Sequence, residues 1–167
     1  MPNWVKVFVH ALNENVDFGK FANEKGDFTF EKVIPMPSDI YRGDLGEAER
    51  QKYGQDNWYD WSIQHWGTKW DACESNIQDN LVAFETAWSC PVPVLKKLGE
   101  KVGGLLVFFA DEDIGSNCGA FFVKEDGSIV DIPYNYLVAE TIFDGLDVWD
   151  RECIHRFKWL LGFDEEE

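Results

Sequence analysis

The chain has 167 residues, 45% hydrophobic and 16% aromatic, and its 31 acidic and 15 basic residues give a formal net charge of −16. This composition predicts one folded domain and excludes a disordered acidic tail. Nucleic-acid binding and adhesion to anionic membranes are disfavoured, because both require clustered Lys and Arg side chains. The apolar stretches are too short to span a bilayer, and the N-terminal residues do not resemble a signal peptide, so we expect a cytoplasmic protein.

The first part of the chain alternates short extended pieces with helical turns. Val5, Val7 and Val9 alternate with bulkier or polar residues, which predicts a strand over Trp4–Leu12. Phe28–Ile34 is a second candidate strand, ended by the prolines that follow. Helical turns are predicted at 46–53 and at 57–66, and in the second of these Trp58, Trp61 and Ile63 or His65 would line one face.

The second part predicts a helix between strands. A turn at 66–72 leads into an extended piece, and Pro91 and Pro93 open a helix that Gly103 and Gly104 end. The Asp126-Gly127 pair is typical of a hairpin turn. The predicted strands are 80–89, 105–110, 120–124 and 128–134, and a C-terminal helix is predicted over 147–161, with Val148, Cys153 or Ile154, Phe157 and Leu160 or Leu161 as its apolar stripe.

The order of these elements predicts an α+β fold. We expect a ferredoxin-like, split β-α-β antiparallel sheet of four or five strands, with helices on one face. The other face would be solvated or covered by the aromatic-rich inserted segment 53–70. The whole chain, 1–167, is predicted to form one domain, comprising a body over 1–134 and an acidic C-terminal helix and tail over 135–167.

Several segments together resemble the YubB-type ferredoxin-like family of uncharacterised proteins carried by plasmids and phages. The segments are Met1–Val5, Phe28–Pro37, Trp58–Trp61, Trp66–Ala72 and Phe84–Pro93. The Trp-Gly-Thr-Lys-Trp block at 66–70 is the most specific of them. The resemblance runs to about residue 134 and implies a ferredoxin-like fold and a mobile genetic element as the setting, but no activity and no catalytic residues.

The aromatic block suggests a ligand pocket. Indole rings offer large stacking surfaces for a flat ligand or nucleotide, and neighbouring polar groups would read its edges. The residues are Trp58, Asp60, Trp61, His65, Trp66, Lys69 and Trp70. The alternative is that these rings attach an irregular segment to one face of the sheet.

No pattern in the sequence predicts a cofactor, a metal or a catalytic residue. The four cysteines lack zinc-ligand spacing and are expected to be reduced thiols, and the glycines form no phosphate-binding loop. The acids at 111–113 lack the spacing of an EF-hand. We therefore expect a non-enzymatic protein.

Acidic residues are concentrated in the last third of the chain. Residues 105–167 hold 15 acids against four bases, which accounts for 11 of the 16 excess negative charges. Such a field steers a protein towards basic surfaces and, in a mobile element, suggests a DNA-mimic inhibitor of host restriction or CRISPR complexes. An ordinary acidic protein is the alternative. The predicted partner-binding residues are Asp111, Glu112, Asp113, Asp144, Asp147, Asp150 and Glu152.

Overall fold

A computed structural model describes residues 3–111 and 118–132 of the chain. The described strands are β1 (Trp4–Ala11), β2 (Cys73–Gln78), β3 (Leu81–Ala87), β4 (Leu105–Asp111), β5 (Cys118–Val123) and β6 (Ile129–Ile132). The described α-helices are α1 (Glu47–Tyr53), α2 (Trp58–His65) and α3 (Val92–Val102). The predicted C-terminal helix and tail lie outside the described residues.

The six strands form one antiparallel sheet in the order β2-β3-β1-β4-β5-β6. Strand β1 lies between β3 and β4, which α3 connects, so β3-α3-β4 is the predicted split β-α-β unit. The order of β1 to β4 is that of a ferredoxin-like sheet. The predicted number of four or five strands was too low, because β2, predicted only as an extended piece, adds a strand at one edge of the sheet.

Helix α3 and the aromatic-rich segment 53–70, here called the aromatic segment, cover the same face of the sheet, which we call the inner face. Val5, Val7 and Val9 of β1 point to this face and are fully buried. Leu95 and Leu98 of α3 belong to the same core cluster. The aromatic segment does not cover the opposite face, contrary to one of the two predicted arrangements. An amphipathic helix and an irregular aromatic segment thus share one core.

The opposite face, here called the outer face, is apolar over β4 to β6. It carries a second buried cluster, which consists of Leu106, Phe108, Ala110, Ala120, Phe122 and Ile132. The alternative expectation of a solvated face is therefore wrong for this half of the sheet. The reason is the near-continuous apolar sequence of β4, which is typical of a strand buried on both faces.

The predicted strand over Phe28–Ile34 is not formed. Thr29 caps a 3-10 turn at Phe30–Lys32, and its hydroxyl accepts a hydrogen bond from the Glu31 amide at 3.2 Å. Phe28 and Phe30 are both buried, so apolar residues alternate with polar ones in the sequence although the backbone forms a turn and not a strand. Period-two alternation over so short a run does not distinguish a strand from a turn with two anchored rings.

None of the helices in the described residues is long and apolar enough to cross a membrane.

Candidate functional site

The aromatic block is held in place by the N-cap of α2. Asn57 is fully buried, and its side-chain oxygen accepts hydrogen bonds from the amides of Tyr59 and Asp60 at 3.1 and 3.0 Å. Its side-chain nitrogen donates to the Gly54 carbonyl and to the Asp60 carboxylate, at 2.7 and 2.6 Å. Asn is a preferred N-cap residue because it satisfies amides that the helix leaves free. The start of α2 is thereby fixed.

Two of the predicted pocket residues are core residues. Trp61 and Trp66 are 7% and 4% exposed, and their rings meet edge to face at 5.4 Å between centroids. The Trp66 indole N–H donates to the Ile34 carbonyl at 2.9 Å, and its ring contacts Phe30 at 5.7 Å. These indoles attach the segment to the inner face, as the structural alternative predicts.

Trp58 and His65 each contact a backbone carbonyl oxygen through a ring nitrogen. The Trp58 indole N–H donates to the Gly43 carbonyl at 3.0 Å. The His65 ring stacks on Trp61 at 4.4 Å, and its Nδ1 lies 3.0 Å from the Trp61 carbonyl oxygen. A carbonyl only accepts, so this contact requires the proton on Nδ1. His65 is not among the residues that line the open pocket to which Asp60 contributes.

An open pocket of about 420 Å³ lies on the solvent side of α2. Its lining residues are Gln55, Tyr59, Asp60, Ile63 and Gln64. Ile63 is 46% exposed and supplies an apolar part of this lining. Of the predicted pocket residues, only Asp60 lines this pocket. Sequence reasoning missed both glutamines and Ile63, because no motif marks them.

Cationic side chains flank the Tyr59 ring. The Arg50 guanidinium lies 5.7 Å from the ring centroid and the Lys69 ammonium lies 5.9 Å from it. The Lys69 ammonium also lies 4.3 Å from the Trp70 ring centroid, and Trp70 contacts Trp4 at 6.1 Å. Predicted residues Lys69 and Trp70 therefore lie beside Tyr59, on the partly exposed side of the block.

Asp71 directly follows the aromatic block in the sequence and binds Thr29 and Phe30. Its carboxylate accepts hydrogen bonds from the Thr29 hydroxyl at 2.5 Å, from the Phe30 amide at 2.6 Å and from the Ala72 amide at 2.7 Å. Burial raises the pKa of Asp71, although these three donors act to lower it. Asp71 is thus a structural anchor that joins two segments far apart in sequence.

Of the seven predicted partner-binding acids, only Asp111 lies in the described residues. It ends β4 and is 2% exposed, and Asn3 Nδ2 donates to its Oδ2 at 3.4 Å. Asp111 is therefore a buried residue and adds nothing to an exposed acidic surface. The other six, Glu112, Asp113, Asp144, Asp147, Asp150 and Glu152, lie outside the described residues.

Acidic residues outnumber basic residues in the described part of the chain. Residues 3–111 and 118–132 contain 20 acids and 12 bases. The ion pairs found there are Glu31 with Arg42 at 3.2 Å, Asp60 with Arg50 at 4.0 Å, and Glu100 with Lys97 at 2.9 Å. The described part of the chain therefore has an excess of eight negative charges.

Metal binding has no support within the described ranges, where no group of three or more His, Cys, Asp or Glu side chains converges. Cys73, Cys90 and Cys118 are free thiols, and burial raises the pKa of Cys90 far above its ordinary value. A raised pKa keeps a thiol protonated and unreactive.

Comparison with known families supports the fold. Residues 65–145 match the family model described as a ferredoxin-like domain in Api92-like protein. The match covers slightly less than half of the chain and includes β2 to β6 and α3. No curated protein and no solved structure matches the chain. The description of this family as ferredoxin-like agrees with the β3-α3-β4 unit, which lies within the matched residues.

Proposed function

We propose that this protein is a non-enzymatic acidic interaction protein that binds a positively charged partner. The observation that carries this proposal is the uncompensated negative charge. The described residues have an excess of eight acids over bases, and the rest of the chain supplies the other eight excess acids. Because acids outnumber bases in both parts of the chain, the protein has a net negative charge that attracts external cations.

The proposed partner is a host nucleic-acid-binding defence protein, of the restriction or CRISPR kind. Two arguments support this choice. Carboxylates on a folded surface imitate the phosphates that such a protein binds, and the resemblance to the YubB-type family favours a plasmid or phage as the source. The proposed action is occupation of a nucleic-acid-binding groove in the cytoplasm of the host cell.

The test compares two triple variants with the same change in net charge. Asp144, Asp147 and Asp150 are replaced by Lys in one variant. The control variant replaces Asp39, Asp44 and Glu47, which are exposed acids of the N-terminal part, by Lys as well. Immobilised proteins capture basic partners from host lysate, and duplex DNA is then added as a competitor.

We expect the C-terminal variant to lose capture and the control to retain it. Capture by the unaltered protein should weaken at raised salt and be displaced by duplex DNA, because a charge-driven interface is screened and shares the DNA site. Equal loss in both variants would indicate a non-specific effect of net charge. Retention by both, or no displacement by DNA, would contradict the DNA-mimic proposal.

A second candidate function is the binding of a flat anionic ligand, such as a nucleotide, in the open pocket beside α2. The observation that favours it is the Tyr59 ring, which lines the pocket and has the Arg50 and Lys69 cations 5.7 and 5.9 Å from its centroid. These cations would attract the phosphate of the ligand, and Tyr59 would contact its base.

Titration with nucleoside monophosphates, followed by tryptophan fluorescence, tests this second candidate. Trp70 reports on the site because it lies beside Lys69. Tyr59→Ala should abolish a saturable change, whereas Gln78→Ala, at an exposed position of β2, should preserve it. A change that survives Tyr59→Ala would exclude this pocket.

A further inference from the structure

Trp88 exposes an indole ring at the point where the chain leaves β3. Val82 and Phe84 of this strand are buried in the core of the inner face, and Thr86 follows them in the same alternation. If the strand continued, residue 88 would also be buried on that face. Trp88 is instead 58% exposed.

The backbone of Trp88 departs from the strand conformation. Its φ is +74°, which lies in the left-handed region that bulky residues rarely adopt. This conformation costs free energy for any residue with a Cβ, and glycine would avoid the cost. Strained residues of this kind cluster at functional sites, and a large exposed apolar side chain beside buried neighbours is typical of a contact surface.

Hydrogen bonds hold Trp88 in this conformation. Its amide donates to the Asn3 carbonyl at 2.9 Å. The Thr86 hydroxyl donates to the Ser89 carbonyl at 2.7 Å, which joins the residues on either side of the turn. The exposed ring is thus presented on a fixed backbone, which lowers the entropic cost of binding a partner.

The end of the sheet beside Trp88 is aromatic and contains an indole that binds a cation. Trp4, the first residue of β1, pairs with Ala87, and its ring centroid lies 6.1 Å from that of Trp70. The Lys69 ammonium lies 4.3 Å from the Trp70 ring centroid. Ammonium and guanidinium groups are attracted to the faces of aromatic rings, most strongly to that of Trp.

We propose that Trp88 binds an Arg or Lys side chain of the basic partner and is the aromatic anchor of that interface. The argument for this occupant is charge complementarity. Acids outnumber bases by eight in the described residues, so that a cationic side chain is attracted to this protein and an acidic one is repelled. Trp is also enriched among the residues that carry most of the binding energy of an interface.

This inference rests on the proposed function, because it requires a basic partner. It adds a contact that acts through an aromatic ring and not through a carboxylate. Substitutions of Trp88 leave the net charge unchanged, so the contribution of the ring can be measured separately from the electrostatic attraction.

The test uses a short arginine peptide with blocked ends as the probe. The peptide is titrated into the full-length protein and followed by the NMR signals of the indole N–H groups, among which that of Trp88 is identified by its loss in Trp88→Leu. Trp88→Tyr keeps an aromatic ring at the site. The control is Ile63→Ala, which shortens another exposed apolar side chain of the described residues.

We expect a saturable shift of the Trp88 signal. The Kd of Trp88→Leu should be about two- to fivefold weaker than that of the unaltered protein, as for a cation on an exposed ring, and Ile63→Ala should bind like the unaltered protein. Trp88→Tyr should lie between Trp88→Leu and the unaltered protein. Urea unfolding of each variant checks that it is folded.

An unchanged Kd for Trp88→Leu, or equal losses for the Leu and Tyr variants, would overturn the proposed anchor and leave the charge-driven function standing. The absence of saturable binding to the unaltered protein would contradict both. A Trp88 signal that shifts with protein concentration in the absence of peptide would assign the ring to contact with a second copy of the chain and would also overturn the proposal.

Discussion

Replacing Asp71 should destabilise the fold more than its partly exposed position suggests. Asp71 holds Thr29 and Phe30, which precede it by about 40 residues, against the segment that leads into β2. Asp71→Ala removes all three hydrogen bonds of the carboxylate and leaves the amide of the buried Phe30 without its acceptor. Each bond to a charged group contributes about 1.5–3 kcal/mol, but bonds that share one acceptor do not add fully.

We therefore expect Asp71→Ala to lower the free energy of unfolding by about 3 kcal/mol. In a chain of this size, this corresponds to a fall in Tm of about 6–12 °C. Asp71→Asn keeps the oxygen that accepts from the Phe30 and Ala72 amides, and its new amide group can donate to the Thr29 hydroxyl. Its expected cost at neutral pH is about 1 kcal/mol or less.

Urea unfolding followed by tryptophan fluorescence measures both changes. Asp39→Ala is the matched control, because it removes the same charge from an exposed position, and it should change the stability by less than about 0.5 kcal/mol. A loss below about 1 kcal/mol for Asp71→Ala, or equal losses for the Ala and Asn variants, would refute the assignment of Asp71 as an anchor.

Three further predictions concern pH and backbone geometry. Because burial raises the folded-state pKa of Asp71, the stability linked to this proton is fully present below the unfolded-state pKa and is lost as pH rises through the folded-state pKa. The stability advantage of the unaltered protein over Asp71→Asn should thus shrink with rising pH in urea titrations; an advantage that grew would contradict the shift. Gly99→Ala places a methyl group 2.4 Å from the Val123 side chain, so it should cost about 1–2 kcal/mol despite the better helix propensity of Ala. Val123→Ala removes this overlap but leaves a cavity, so the double variant should lose less stability than the sum of the two single losses, and full additivity would contradict the overlap. Glu74 has a φ of +45°, which costs a non-glycine residue energy, so Glu74→Gly should stabilise the protein by up to about 1 kcal/mol. Glu85→Gly, in the regular part of β3, should destabilise it. Destabilisation by both substitutions would show that the backbone of Glu74 is unstrained.

The sequence predicted those elements whose own residues form a recognisable pattern. The alternation of Val5, Val7 and Val9 predicts β1, and Pro93 with Gly103 marks the two ends of α3. The strand predicted over Phe28–Ile34 was wrong, because a distant carboxylate, Asp71, stabilises a turn there. Such a contact leaves no trace in the local pattern.

The candidate site was less predictable than the fold. The sequence places Trp61 and Tyr59 in one aromatic block, and the structure buries the first and leaves the second at a pocket. Their positions on α2 differ by two residues, which on a helix lie on different sides. Which side faces the sheet depends on how the segment docks.

The amino-acid sequence alone determined the excess of carboxylates, the alternation of the strands and the ends of the helices, because each is written in neighbouring residues. Only the tertiary structure decided that α3 and the aromatic segment share the inner face, that Asp111 is buried, and that the outer face of β4 to β6 is a second core. The physical reason is that local periodicity makes a surface apolar, whereas its burial depends on segments that are distant in the chain.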